Sequence, residues 1–217
     1  MASILDSIKE HITPELLGEA ATMYEESEAG ISKAISSLAP AVLAGLLGKS
    51  GDSHLIDDIF SIIRNFDPVI LQDLGLLFRG NNPAQTDRKD DSDQLLDTIF
   101  GAKIPAIVNA AASFSEVKQA TASSLLRLAA PLVMALLSKK INAERLNSSG
   151  MVNYLLAEKS NFVSVLPASI AAMLGIANRG IDHPFIGEKS MGGLSWLWPL
   201  LVLTGIGMVI LFYRKGC

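Results

Sequence analysis

Cysteine occurs once in the 217 residues, as Cys217, so no intrachain disulfide and no multi-cysteine metal site can form. That usage fits a reducing compartment. Aromatic residues make up only 6%, and the three histidines, His11, His54 and His183, are scattered. A zinc site would need all three, or carboxylate help, to converge. No stretch alternates apolar and polar residues with period two, which argues against strands and for an all-α chain. Charged residues are also scarce, at 18%, with a net charge of −4. Setting aside Arg214 and Lys215, 16 basic residues face 22 acidic ones. An acidic body without a basic stripe argues against a nucleic-acid partner. The first ten residues carry Asp6, Lys9 and Glu10 in a helical pattern and lack the apolar core and cleavage site of a secretory signal. The Met1-Ala2 start excludes N-myristoylation.

Aliphatic sequence is abundant: 49% of residues are hydrophobic and the mean hydropathy is +0.36. Residues 40–48 (PAVLAGLLG) return without a gap as 167–175 (PASIAAMLG), and 130–139 (APLVMALLSK) resemble 39–49 (APAVLAGLLGK). Proline is tolerated in the first turn of a helix, while Gly and Lys suit its carboxyl end. The three copies therefore predict buried helices headed by Pro40, Pro131 and Pro167, with Pro105 heading a looser fourth.

Around these modules the spacing predicts a helix over 3–11, a second opened by Thr13-Pro14, and others capped by Ser27, Ser53 and Ser115. Asp67-Pro68 repeats the cap-and-proline signal, and short helices are expected over 151–157 and 163–174. Residues 80–93 are polar, mix both charge signs and have no periodicity, so they read as an exposed linker. The expected body is a multihelical bundle over 1–178, built from a duplicated unit with halves at about 1–79 and 94–178.

Residues 194–213 (LSWLWPLLVLTGIGMVILFY) contain no charge, and about 20 residues suffice to cross a bilayer. Trp196 and Trp198 at one end, with Tyr213, Arg214 and Lys215 at the other, form the pattern of membrane-interface anchors. A single transmembrane helix is therefore expected, approached by a glycine-rich tether (179–193) and followed by a short tail (214–217). With no signal ahead of it, the helical body is expected to face the cytoplasm. Arg179 and Lys189 balance Arg214 and Lys215, so the positive-inside count does not fix the orientation.

Motifs that could carry chemistry fail on inspection. Gly45 to Ser50 ends like a phosphate-binding loop, but position 43 is Leu and no strand precedes it. Ser115 and Lys118 match Ser-x-x-Lys without any Lys-Thr-Gly element. Asp87, Asp90, Asp91 and Asp93 lack the glycine and terminal glutamate of a calcium loop. Arg214 to Cys217 is not a prenylation box. No catalytic, cofactor or metal residues are expected, and no enzymatic activity. Only a concave meeting of His54, Asp57 or Asp58 with another polar group would reopen that question.

One ordered set of motifs resembles a known family. It runs through Ser27-Glu28, Ala34-Ile35, Leu38 to Pro40, Leu46 to Lys49, Ala122 to Leu126 and Ala130-Pro131. It continues with Leu136-Leu137, Ser149-Gly150, Leu155-Leu156, Leu166-Pro167 and Leu174-Gly175. Over roughly 4–178 the chain is similar to the bacterial YidB-like superfamily domain of unknown function. The resemblance implies an all-helical fold and a bacterial source, with no established activity. Some relatives continue into a membrane segment and an OmpA-like domain, a layout from which this sequence departs.

The expected role is a membrane-anchored scaffold at the bacterial inner membrane, bound to lipid through 194–213 and to a protein partner or to itself through helix faces. The alternative is a membrane-active bundle that inserts its apolar helices as a pore. Each proline-headed run, taken alone, is too short to span.

Overall fold

The computed structural model describes residues 3–72, 74–75 and 83–176, with backbone only for 83–90. They belong to one compact unit, Met1–Asn178. Among the described residues there is no strand.

Among the described residues nine α-helices follow in order: α1 Ile4–His11, α2 Pro14–Tyr24, α3 Glu28–Gly48, α4 Ser53–Asn65, α5 Pro83–Ile99, α6 Ile104–Ser115, α7 Gln119–Glu144, α8 Ser148–Ser164 and α9 Ala168–Met173. Short 3-10 turns occupy Pro68–Gln72 and Gly101–Lys103.

Local chemistry accounts for most of the helix starts. At α1, Ser3 and Asp6 exchange the two bonds of a capping box. The Ser3 hydroxyl and backbone bonds hold the Asp6 carboxyl below its usual range. Thr13 caps α2 with Pro14 at its first position, and Ser27 caps α3 through the Gly30 N–H. Asp52, one residue before the expected Ser53, caps α4. Asp67 accepts from the Val69 N–H, opening a 3-10 turn where a helix was expected.

The prolines of the central modules are not heads of helices. Pro40 lies inside α3 and Pro131 inside α7, which run unbroken for 21 and 26 residues. Each removes the bond that its N–H would have donated four residues back, to Ser36 and Arg127. Burial outweighs that loss: eight consecutive residues of α3, Ser37 to Ala44, are fully buried or nearly so, and α7 is buried from Ala129 to Ser138. Of the three module prolines, only Pro167 stands at a helix boundary, as the N-cap of the short α9, while Pro105 sits in the first turn of α6 as expected.

Three further expectations need correction. Of the supposed linker 80–93, residues 83 onward form the first part of α5. Its polar residues show no apolar period, so the spacing carried no helix signal, yet Pro83 suits a first turn and Leu95, Leu96 and Ile99 anchor the far end in the core. Ser115 ends α6 rather than capping α7; Glu116 takes a left-handed conformation (φ 58°) and closes the helix. The two short helices expected near 151–157 and 163–174 are present with other bounds, the first lengthened to α8 and the second shortened to α9.

The duplication is in register over most of its length. Pro14, the left-handed Glu25 and Pro40 recur as Pro105, the left-handed Glu116 and Pro131, a constant step of 91 from 14 to 105, 25 to 116 and 40 to 131. The same step carries residues 4–8 (ILDSI) onto 95–99 (LLDTI). One repeat thus holds α1 to α4 and the other α5 to α8.

The two repeats are crossed over. Helix α3 packs on α7, the most extensive helix pairing among the described residues. It also packs on α8, while α7 packs on α4; α1 packs on α7, and α5 on α3. Each long helix therefore finds much of its cover in the other repeat, and one apolar core runs through both. Ser138 in α7 is wholly buried and donates to the Phe66 carbonyl (2.7 Å), with Asn142 donating to the Arg64 carbonyl (3.3 Å). Side chains of one repeat thereby satisfy the carboxyl end of α4 in the other.

Candidate interaction surface

The two turns that precede the long helices meet each other. Glu26, after α2, accepts from the Lys118 N–H (2.7 Å) and from the Thr121 hydroxyl (3.1 Å), so a carboxylate of the first repeat serves the amino end of α7. Lys118 has no capping side chain of its own, and its ammonium reaches the Tyr24 carbonyl and the Glu25 carboxylate. On the other side, a methyl at Gly30 would come within 2.8 Å of Val117 and 3.2 Å of the Ser115 carbonyl. Only a glycine lets the turns approach this closely.

Beside this meeting point stand Met23 and Phe114, each 47% exposed. They occupy the same place in the two repeats, again 91 residues apart. Each immediately precedes a residue of the contact: Tyr24, whose carbonyl takes the Lys118 ammonium, and Ser115, whose carbonyl faces Gly30. Each repeat thus exposes one apolar residue at the end of its second helix, Met23 before Glu25 and Phe114 before Glu116. Sequence periodicity missed the two because each side chain looks like part of its own helix's apolar set. The signal was available in the 91-residue step.

A cavity of about 130 Å³ opens elsewhere, between α5, α6 and α7. Leu96, Ile104 and Leu126 line it, with Asp93, Asp97, Ser123 and Arg127 as its polar members. Asp93 and Arg127 pair at 3.1 Å, both partly exposed. Such a pair contributes about 0–1 kcal/mol. Of the acidic cluster singled out in the sequence, Asp93 is spent on this pair, and the side chains of Asp87 and Asp90 lie outside the described residues.

His11 donates to the Ser7 carbonyl of its own helix (2.8 Å), and His54, Asp57 and Asp58 are exposed on α4. None of the three lines the cavity. Among the described residues, no three side chains of metal-binding type gather. Tyr154 is pushed up to about 12, first by burial and then by the Glu158 and Glu144 carboxylates. A phenol held protonated in this way is a poor base at neutral pH. Gly45 to Ser50 is the end of α3 and the turn after it.

Trp196, Trp198, Tyr213, Arg214 and Lys215 lie outside the described residues, as do His183, the tether 179–193 and the whole run 194–213. Within the body, α3 and α7 are themselves long and apolar enough to cross a membrane.

A family sequence profile, described as a bacterial protein of unknown function (DUF937), matches residues 6–140. This chain belongs to that bacterial family. The match spans both repeats, from α1 to near the end of α7, and takes in both Met23 and Phe114. No curated protein and no solved structure matches the chain.

Proposed function

We propose that this DUF937 member is a non-enzymatic scaffold held at the bacterial inner membrane, its helical body in the cytoplasm and 194–213 crossing the bilayer once. The observation that carries this reading is the uncharged 20-residue run with aromatic and basic residues at its ends, beside a body that already has a complete core. Tethering confines the body to a surface and raises its effective concentration toward other tethered molecules. The partner, or a second copy, is read as contacting Met23 and Phe114.

A second reading is favoured by the lengths of α3 and α7, about 31 and 39 Å at ~1.5 Å per residue. The objection that the proline modules are too short to span falls away, since both prolines lie inside longer helices. Against insertion stands the burial of these helices within the body, 83% and 78% of their most apolar windows.

Flotation with dye-loaded liposomes separates the readings. The full chain is expected to float with the vesicles and leave the dye inside, while a chain lacking 194–217 stays at the bottom of the gradient. Dye release would favour the pore; failure of the full chain to float would sink the tether.

That contact has its own test. Replacing Met23 and Phe114 together with Ser is expected to move the melting temperature by about 2 °C or less, since both are exposed. Retention of a partner in pull-downs should fall roughly 30-fold, the effect of losing an apolar anchor worth ~2 kcal/mol. Undiminished retention would place the contact elsewhere.

A further inference from the structure

The cavity between α5, α6 and α7 carries an unbalanced charge. Two carboxylates, Asp93 and Asp97, line it against one guanidinium, Arg127. Asp93 and Arg127 pair with each other at 3.1 Å. Among the described residues, neither Asp97 nor the Ser123 hydroxyl has a hydrogen-bond or ion-pair partner.

Asp97 also stands at the unfavourable end of its helix. It lies in the last turn of α5, where the carbonyl dipoles repel a carboxylate and favour a cation. No basic residue occupies that turn, and Lys103, the next along the chain, gives its ammonium to the Met173 carbonyl (2.9 Å). The first repeat shows the same residue put to a structural use. Asp6, 91 positions earlier, is in the first turn of α1 and is spent on the capping box with Ser3. Gln94 stands at the Ser3 position and α5 begins well before it, so Asp97 has no such role. The ion pair also belongs to the second repeat alone, since Asp93 and Arg127 match Ala2 and Ser36.

We propose that this cavity binds a small organic cation, an ammonium on a short aliphatic stem. The ammonium supplies the charge missing at Asp97 and donates to the Ser123 oxygen, while the stem lies on Leu96, Ile104 and Leu126. The volume, about 130 Å³, equals the share of about four waters and suits a stem of a few carbons. A bare divalent ion would gain nothing from the apolar wall, and it needs more oxygen ligands than Asp97 and Ser123 offer. The site uses neither 194–213 nor Met23 and Phe114, so its failure would leave the scaffold reading untouched.

The test titrates n-butylammonium into the detergent-solubilised full chain by calorimetry at neutral pH, with butyrate and n-butanol as controls. Saturable millimolar binding of butylammonium is expected, with both controls at least tenfold weaker. Asp97→Asn keeps the shape at an exposed position and should weaken binding about tenfold. Asp58→Asn, exposed on α4 away from the cavity, should leave it unchanged. No saturable binding, equal binding of either control, or an Asp97→Asn chain that binds as well as the natural one overturns the proposal.

Discussion

Gly45→Leu is expected to destabilise the body by about 3 kcal/mol, a fall in melting temperature of roughly 6–12 °C for a chain of this size. Even a single added carbon at Gly45 would lie 2.6 Å from the Phe100 Cε1 and within 3.3 Å of two more ring carbons. Phe100 is buried, 4% exposed, so its ring has nowhere to retreat. The helix-propensity gain from replacing a mid-helix glycine returns only ~0.8 kcal/mol. The other repeat shows the reverse arrangement. The position matching Gly45 is Leu136, which is buried, and the position matching Phe100 is Lys9, which is exposed. One repeat fills the space from the long helix and the other from the preceding segment. Phe100→Ala on its own should cost about 3–5 kcal/mol. Combined with Gly45→Leu it should cost at least ~1 kcal/mol less than the sum of the two, because each substitution makes room for the other. Strict additivity in thermal melts would mean that the two positions do not share a space.

The second large effect concerns the repeats as folding units. Residues 83–178 expressed alone are expected to form no cooperative monomer. Helix α7 would lose α3, α4, α1 and the 68–72 turn from its apolar surface at once. Exposed apolar area of that size is not compatible with a stable small domain. Circular dichroism should show at least half of the helical signal missing or a broad, non-cooperative melt. Co-expression with residues 1–79 should restore a sharp transition. A sharp melt from monomeric 83–178 would show that the crossed contacts are dispensable.

Much of this architecture was legible in the sequence, but unevenly. The absence of any period-two stretch and the capping residues Thr13 and Ser27 give the helical class and several helix starts correctly. The apolar character of 40–48 and 130–139 announces burial on all sides. What misleads is proline. The local rule places it in a first turn, whereas at positions 40 and 131 tertiary burial overrides the lost hydrogen bond and the helix continues through. The likeness of 167–175 to 40–48 also misdirects. By sequence the two modules look alike, yet Pro167 opens a six-residue helix and Pro40 sits in the middle of 21 residues. Helix α5 hides for the opposite reason: a polar helix start has no apolar stripe to betray it. Capping of one repeat by the other, as in Glu26 serving Lys118 and Thr121, is a long-range event that no local pattern encodes. Met23 and Phe114 needed the 91-residue step before they could be recognised as equivalents.

The sidedness of the chain is the most direct test of the tethered-scaffold account, and Cys217, the sole cysteine, is the natural probe. A membrane-impermeant maleimide is added to intact spheroplasts, before and after permeabilisation, for the natural chain and for Cys217→Ser carrying Ser61→Cys on exposed α4. The account predicts that Cys217 is labelled from outside at once, while the cysteine at 61 reacts only after permeabilisation. Labelling of position 61 in intact cells, or protection of Cys217 until the membrane is opened, would contradict it.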